Sequence, residues 1–145
     1  MQKEHSSSWK LLFLTLTFLF FVQNNNAQTA EEYYQKALKQ LDSLKEYNNQ
    51  DYSRVIKNLS NATNKDPKFY KAFFLQGQIY EKVRNYAFAI DLYNKTIESN
   101  PNYSDAYLAR GLISLYDTEK ACKDLNRAKE LGNENAQIYL NKYCK

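Results

Sequence analysis

Apolar and small side chains recur at helical spacing in the middle of the chain. Phe73, Gly77 and Tyr80 stand at positions i, i+4 and i+7, so a helix would place them on one face. A glycine inside a helix costs roughly 1 kcal/mol relative to alanine and is tolerated where a neighbouring backbone needs the room. The pattern therefore predicts an amphipathic helix that packs closely against a neighbour.

A second amphipathic helix follows the first. Ala89, Ile90 and Tyr93 form its apolar stripe, again at helical spacing. Pro67 and Pro101 stand before and after this pair of helices. The residue before a proline resists the helical region, and the proline ring permits a new first turn. We therefore predict a helix–turn–helix unit between the two prolines.

The same pattern occurs twice, 34 positions apart. KDPKFYKAFFLQG, residues 65–77, corresponds to SNPNYSDAYLARG, residues 99–111, and the register extends backwards to match Tyr52 with Tyr86. A fixed period of 34 is the length of one helix–turn–helix repeat, and such units bury their apolar faces by stacking. The sequence predicts an all-α fold, an α-solenoid of antiparallel helix pairs.

The period divides the chain into about three repeats and a last helix. The repeats span about residues 30–67, 68–101 and 102–132, and a capping helix spans about residues 134–144. Terminal units of repeat proteins are atypical because each covers a face that has no further neighbour. The first helix, roughly Ala30 to Tyr47, is irregular in this way, with Asp42 and Ser43 where leucine and glycine are expected.

The third repeat is shorter than the second by two residues. Ala121 follows Ala89 by 32 positions instead of 34. The missing residues shorten the turn near Asp117 and Thr118, either of which can cap the helix that follows.

Eight positions of the central unit occur in a specific order. A large residue is followed by a glycine and an aromatic, then by Tyr-x-x-Ala-Ile, a further aromatic and a closing proline; these are Phe73, Gly77, Tyr80, Tyr86, Ala89, Ile90, Tyr93 and Pro101. This order resembles the tetratricopeptide repeat, with Thr96 at a position where alanine is usual and Gln76 at one where leucine is expected. Residues 121–144 resemble the closing segment of secreted tetratricopeptide and Sel1-like proteins.

The N-terminus has the features of a secretory signal peptide. Lys3 and Lys10 precede an apolar run, residues 11–22, and Ala27 offers a cleavage site. The twelve residues of this run rise about 18 Å as a helix, less than the roughly 30 Å of a hydrocarbon core. We expect residues 1–27 to be removed, leaving a helical domain at residues 28–145 without a stable membrane span; a retained anchor is the competing interpretation.

Charge and composition restrict the class of partner and the location that the sequence predicts. Removal of residues 1–27 turns 20 basic and 16 acidic residues into 18 and 15, a net charge of +3 that alternates in sign along the chain. That balance is typical of solvated helix faces and does not predict nucleic-acid binding. The abundance of Asn, Lys and Tyr, with the NAQ cleavage region, resembles exported proteins of Bacteroidetes-type bacteria, so we expect a periplasmic or extracellular location.

Two cysteines remain in the predicted mature chain. Cys122 and Cys144 each lie eleven residues from Asn133, so an antiparallel hairpin would bring them to the same level. A disulfide between them would persist in an oxidising compartment. Two buried thiols that only pack remain the alternative.

The sequence offers no catalytic machinery. The one histidine, His5, lies within the predicted signal peptide, which excludes histidine-based triads and histidine-bearing zinc sites from the mature chain. No phosphate-binding glycine motif occurs. We predict that the protein is not an enzyme and uses neither a cofactor nor a metal.

The resemblance implies a groove, lined by the first helices of the repeats, that binds a peptide or a partner helix. Its positions are Lys71, Phe74, Gln78, Glu81 and Lys82 in the second repeat and Asp105, Leu108, Leu112, Leu115 and Tyr116 in the third. The apolar third-repeat set is either groove or surface buried beneath the capping helix, and we favour burial slightly. Positions that grip a chaperone carboxylate in some family members carry Phe74, Leu75, Gln78, Asp105 and Ala109, so a chaperone-tail adaptor is not expected.

We therefore expect an exported, non-enzymatic interaction module that acts as a scaffold or adaptor. Its partner would be a protein or peptide, and the chain would exist as a monomer or as part of a hetero-complex. The alternative is a constitutive structural subunit of a cell-envelope complex. Repeat folds host many partners, so this expectation rests in part on the resemblance.

Overall fold

The computed structural model describes residues 28–46 and 51–144, and this part of the chain forms seven α-helices and no β-strand. The helices are α1 (Ala30–Glu46), α2 (Ser53–Lys65), α3 (Tyr70–Lys82), α4 (Tyr86–Ser99), α5 (Ser104–Ile113), α6 (Thr118–Glu130) and α7 (Ala136–Tyr143). The predicted signal peptide, residues 1–27, lies outside the described residues.

The helices are arranged as successive pairs. Helix α1 packs mainly on α2, α3 on α4 and α5 on α6, while α7 packs on α6. Smaller contacts join α2 to α3 and α4 to α5, so the pairs stack in chain order. The predicted all-α solenoid of helix pairs is confirmed. None of the helices in residues 28–46 and 51–144 is long and apolar enough to cross a membrane.

The turns between the pairs are alike. Asp66 and Asn100, each the residue before a proline, leave the helical region with ψ angles of 100° and 91°. Each side chain accepts a hydrogen bond from the backbone N–H two residues later, at Lys68 (2.9 Å) and at Asn102 (3.2 Å). The predicted end of each second helix at the proline is confirmed.

Side chains cap helix starts where the sequence offers them. Thr29 and Glu32 form a reciprocal capping box before α1, with N–H···O distances of 3.2 and 3.1 Å. The Asp117 carboxylate accepts a hydrogen bond from the Lys120 N–H, at 3.3 Å, at the start of α6. Of the two cap candidates in the shortened turn, Asp117 is therefore the one used.

Two equivalent glycines let the helices of a pair approach. A Cβ on Gly77 would lie 2.5 Å from Cε1 of Tyr93, whose side chain is fully buried. The expectation that a neighbouring backbone needs this room is wrong for Gly77, because an aromatic ring fills it. At Gly111 the expected backbone contact does occur, since a Cβ would lie 3.2 Å from the Ala121 carbonyl oxygen and equally close to Cγ of Leu125.

Tyr80, Tyr86 and Tyr93 occupy positions of the repeat pattern and are therefore expected in the core, but they differ in burial. Tyr93 is fully buried and Tyr80 is half-buried, but Tyr86 is 48% exposed. The expectation for Tyr86 is wrong because this residue begins α4 directly after the turn, where α3 has already ended.

Polar side chains link consecutive pairs at the same register. Gln76 of α3 donates to the Ser60 hydroxyl of α2 at 3.0 Å, and Arg110 of α5 donates to the Asn94 side-chain oxygen of α4 at 2.6 Å. Both partners of the second contact lie 34 positions after those of the first. Gln76 occupies a position where leucine is usual because its amide bonds to the preceding pair.

A disulfide between Cys122 and Cys144 holds the end of the stack. It joins α6 to the residue that follows α7, with the two Cα atoms 5.7 Å apart. Helix α7 begins two residues later than expected, because residues 134–135 form a turn in which the Asn135 N–H donates to the Asn133 side chain at 3.1 Å.

Candidate partner-binding surface

The groove residues predicted for the second repeat lie along one side of α3. Lys71, Phe74, Gln78 and Glu81 follow one another at intervals of three or four, and Lys82 is the last residue of the helix. Lys71, Gln78 and Lys82 are exposed, whereas Phe74 and Glu81 are half-buried. The stripe is therefore accessible mainly through its polar members.

Aromatic rings form the wall beside the first turns of α3. The Phe74 ring centroid lies 4.9 Å from that of Tyr103 and 5.6 Å from that of Tyr93, and Tyr70 lies 5.0 Å from Tyr103. Burial, followed by the nearby Asp105 carboxylate, raises the pKa of Tyr103 to about 12. These rings connect three helical segments, so Phe74 packs between them and is only partly free for a partner.

Glu81 is positioned by a buried tyrosine. The Tyr93 hydroxyl donates to Oε2 of Glu81 at 2.6 Å. Burial, followed by this hydrogen bond and the carboxylate charge, raises the pKa of Tyr93 far above its ordinary value. The hydroxyl therefore keeps its proton at neutral pH and fixes one oxygen of the Glu81 carboxylate.

An open cleft of about 660 Å³ lies at the C-terminal end of α3. It is lined by Gln78, Glu81, Lys82, Arg84, Tyr86, Leu112 and Ile113. Four of these seven are predicted groove residues, three from α3 and Leu112 from α5. The cleft therefore has a polar side on α3 and an apolar side on α5, a combination suited to a peptide with both kinds of side chain.

Two cations of the cleft have no carboxylate partner. Within residues 28–46 and 51–144, neither Lys82 nor Arg84 forms an ion pair. The Lys82 ammonium lies 5.6 Å from the ring centroid of Tyr52, a contact that leaves its charge uncompensated. Arg84 has a φ angle of 63°, the only positive φ at a non-glycine residue in the described chain.

The groove residues predicted for the third repeat are more dispersed. Asp105 is exposed and accepts a hydrogen bond from the Asn133 side chain at 2.7 Å, while Leu108 is half-buried. Leu115 and Tyr116 lie in the turn after α5, because that helix ends at Ile113 in the shortened repeat. Tyr116 is 83% exposed and, like Leu115, does not line the cleft.

The apolar members of this set are half-buried. Helix α7 packs mainly on α6, and Leu108, Leu112 and Leu115 each keep part of their surface exposed. Leu112 lines the cleft, and burial of the others beneath the capping helix stays a prediction.

Three residues of the cleft were not predicted from the sequence. Arg84 and Tyr86 lie at the turn between α3 and α4, and Ile113 ends α5. The family groove positions all lie on first helices, so that pattern has no place for turn residues. A usable signal is the composition of the turn itself, where glycine or asparagine would be ordinary and Arg84 stands instead.

Metal-ligating residues are not clustered in groups of three or more within the described chain.

Comparison with known proteins places this geometry among repeat proteins. No family model matches the chain. Over 89 residues it is 32% identical to a UDP-N-acetylglucosamine--peptide N-acetylglucosaminyltransferase of Giardia intestinalis (strain ATCC 50803 / WB clone C6). That match covers 60% of this chain and 6% of the relative, so the chain spans only a small part of that protein's length.

Solved structures are similar over most of the chain. The first TPR of Spaghetti (RPAP3), bound to the HSP90 peptide SRMEEVD, aligns with a TM-score of 0.69 at 25% identity, covering 81% of this chain and 92% of that one. Two structures of MamA align with TM-scores of 0.62 and 0.59 at 23% identity. They cover 75% of this chain and 61% and 57% of their own, and show likeness of fold alone.

Proposed function

We propose that this chain, whose fold is similar to the TPR domain of Spaghetti, is an exported, non-enzymatic interaction module that binds a peptide or helix of a partner protein beside α3 and α5. The cleft carries this proposal, since it gathers four predicted groove residues, three of them exposed or charged on α3. The peptide named for the Spaghetti domain supports it as a precedent within the same fold.

Site-specific photo-crosslinking tests the binding surface. A photoreactive residue in place of Gln78 lies in the cleft, and one in place of Lys57 lies exposed on α2 as the matched control. We expect native partners to cross-link at the first position and not at the second. Equal cross-linking at both positions would contradict the proposed surface.

Export is a separate part of the proposal. The Cys122–Cys144 disulfide supports it, because such bonds persist in oxidising compartments. N-terminal sequencing of the secreted protein should begin at Gln28. Since Trp9 is the only tryptophan, the secreted protein should also lack indole fluorescence. An indole signal from that protein would contradict cleavage.

The absence of catalysis is also proposed, and it concerns this chain alone. The glycosyltransferase activity of the Giardia relative is not transferred, since the match spans 6% of that protein. The described residues include no histidine to act as a general base. Turnover of a substrate by the purified protein, abolished by Glu81→Gln or Asp105→Asn, would contradict the proposal.

A constitutive structural subunit is the second candidate. Ile138 on α7, 63% exposed, and Tyr116 are large hydrophobic side chains that the fold leaves uncovered near the end of the stack. Size-exclusion chromatography separates the candidates. A soluble monomer favours the adaptor, whereas aggregation that is relieved by co-expression with an envelope protein favours the subunit.

A further inference from the structure

Exposed apolar side chains are concentrated at the turn between α3 and α4. Five large hydrophobic residues are exposed in the described chain, and three of them, Val83, Tyr86 and Phe88, lie within six positions. Phe88 stacks on Tyr80 with ring centroids 5.4 Å apart. Such a concentration marks an interaction surface more often than scattered single residues do.

The same turn contains a strained cation. Arg84 adopts φ 63°, a conformation that costs a non-glycine residue free energy and that glycine would adopt readily. Arg84 belongs to the cleft lining, and within residues 28–46 and 51–144 no carboxylate pairs with its guanidinium. Lys82 adds a second uncompensated cation to the same lining. The fold therefore contains an unfavourable backbone conformation at a position occupied by a positively charged residue.

Glu81 is the opposing charge of the cleft. One of its oxygens accepts a hydrogen bond from the Tyr93 hydroxyl, so the carboxylate is held toward α4. Counting Lys82, Arg84 and Glu81, the lining has a net charge of +1 beside the apolar side chains of Leu112 and Ile113. A ligand that matches this lining is negatively charged and carries an apolar group.

We propose that the cleft binds an acidic segment of the partner protein, with Arg84 and Lys82 pairing with its carboxylates while a large apolar side chain contacts Leu112 and Ile113. This inference rests on the proposed function and names the partner's chemistry. Charge complementarity selects the acidic class, since a basic segment would meet two unpaired cations. The turn with the strained φ places Arg84 in the lining of the cleft.

Selection from a random peptide display library tests the inference. The purified protein should enrich acidic peptides that contain large apolar residues. The double variant Lys82→Glu/Arg84→Glu should lose those peptides and enrich basic ones, while the control variant Lys57→Glu, a charge reversal on α2, should select as the original protein does. Enrichment of peptides without charge preference, or enrichment unchanged by the double variant, would overturn the inference and leave the proposed function standing. Enrichment of no peptide would overturn both.

Arg84→Gly provides a second, independent readout. The variant should have a higher thermal midpoint, because glycine relieves the strained φ. Its affinity for an enriched acidic peptide should be about fivefold lower, as expected for the loss of one exposed ion pair. Arg84→Lys keeps the positive charge that an exposed ion pair requires, so its affinity for the peptide should stay within about twofold of that of the original protein. Unchanged peptide affinity in Arg84→Gly would show that the strained arginine does not contact the ligand.

Discussion

The second and third helix pairs place glycine at the same repeat position but pack against it differently. In α3–α4 the space above Gly77 is filled by the ring of Tyr93, whose hydroxyl bonds to Glu81. In α5–α6 the residue equivalent to Tyr93 is Leu125, and a Cβ on Gly111 would meet the opposing backbone. A smaller residue on the second helix thus lets the two backbones approach.

In the third pair an ion pair replaces the aromatic packing that connects the helices of the second pair. Arg110 donates two hydrogen bonds to Asp124, both of 2.7 Å, and a third to Asn94 of the preceding pair. The Asp124 hydrogen bond is the main cause that raises the pKa of Arg110. The side chains of this ion pair are 23% and 12% exposed. One repeat scaffold therefore accepts either an aromatic or an ionic connection between its helices.

Removal of Asp124 is the strongest way to break the third pair. We expect Asp124→Ala to lower the free energy of unfolding by about 4 kcal/mol, because it leaves the Arg110 guanidinium half-buried without a counter-charge. Urea denaturation measures the loss. Asp91→Ala removes the exposed Asp91–Lys95 pair and should cost only about 0.4 kcal/mol. Similar losses of unfolding free energy in the two variants would show that the Arg110 network stabilises the fold no more than a surface ion pair does.

Loss of the disulfide should affect the third pair and leave the second intact. Its cysteines are 22 positions apart, so Cys122→Ala/Cys144→Ala should cost about 3 kcal/mol in the chain-entropy account. Hydrogen exchange should show amides of α7 losing protection first, because that helix has eight residues and packs on α6 alone among its main contacts. Equal loss of protection in α3 and α7 would contradict this local role.

Gly77→Ala tests the aromatic packing of the second pair. A Cβ 2.5 Å from the Tyr93 ring forces that ring to move, so we expect a net loss of about 1.5 kcal/mol by thermal denaturation. In a Tyr93→Leu background, which copies the third pair, the same change should become neutral or stabilising by up to roughly 1 kcal/mol, since alanine then gains only its helix propensity. A cost that is the same in both backgrounds would show that the ring is not the obstacle.

The repeat could be predicted because its signals are local. The glycines act within one helix pair, the two prolines mark its ends, and the 34-residue period repeats the unit, so these signals predict the architecture without knowledge of contacts between pairs. In the sequence, Gln76 is only a departure from the usual leucine, which does not predict its polar link. Its partner, Ser60, lies on the preceding pair, and the direction of its side chain depends on how two pairs stack.

The cleft was only partly predictable for the same reason. Gln78, Glu81 and Lys82 follow from helical spacing along α3, but Arg84 and Tyr86 depend on the path of a turn. Local propensity does not predict a positive φ at Arg84, because it favours glycine or asparagine at such a position. The pattern predicts Tyr86 in the core because it specifies residue types and does not include the distance from the end of α3.

Tyr93→Phe removes a single oxygen atom from the second pair and tests the contribution of the Tyr93 hydroxyl alone. At neutral pH it should cost about 1 kcal/mol, the worth of the hydrogen bond to Glu81. The pKa of Tyr93 is raised in the fold from its ordinary value of 10.0, so the native state holds this proton more tightly than the unfolded chain. The stability that Tyr93 contributes is therefore complete below about pH 10 and declines as the pH rises above it. The difference between the original protein and the variant should shrink over that range in urea titrations, and a difference that grows with pH would reverse the assigned direction of the pKa shift.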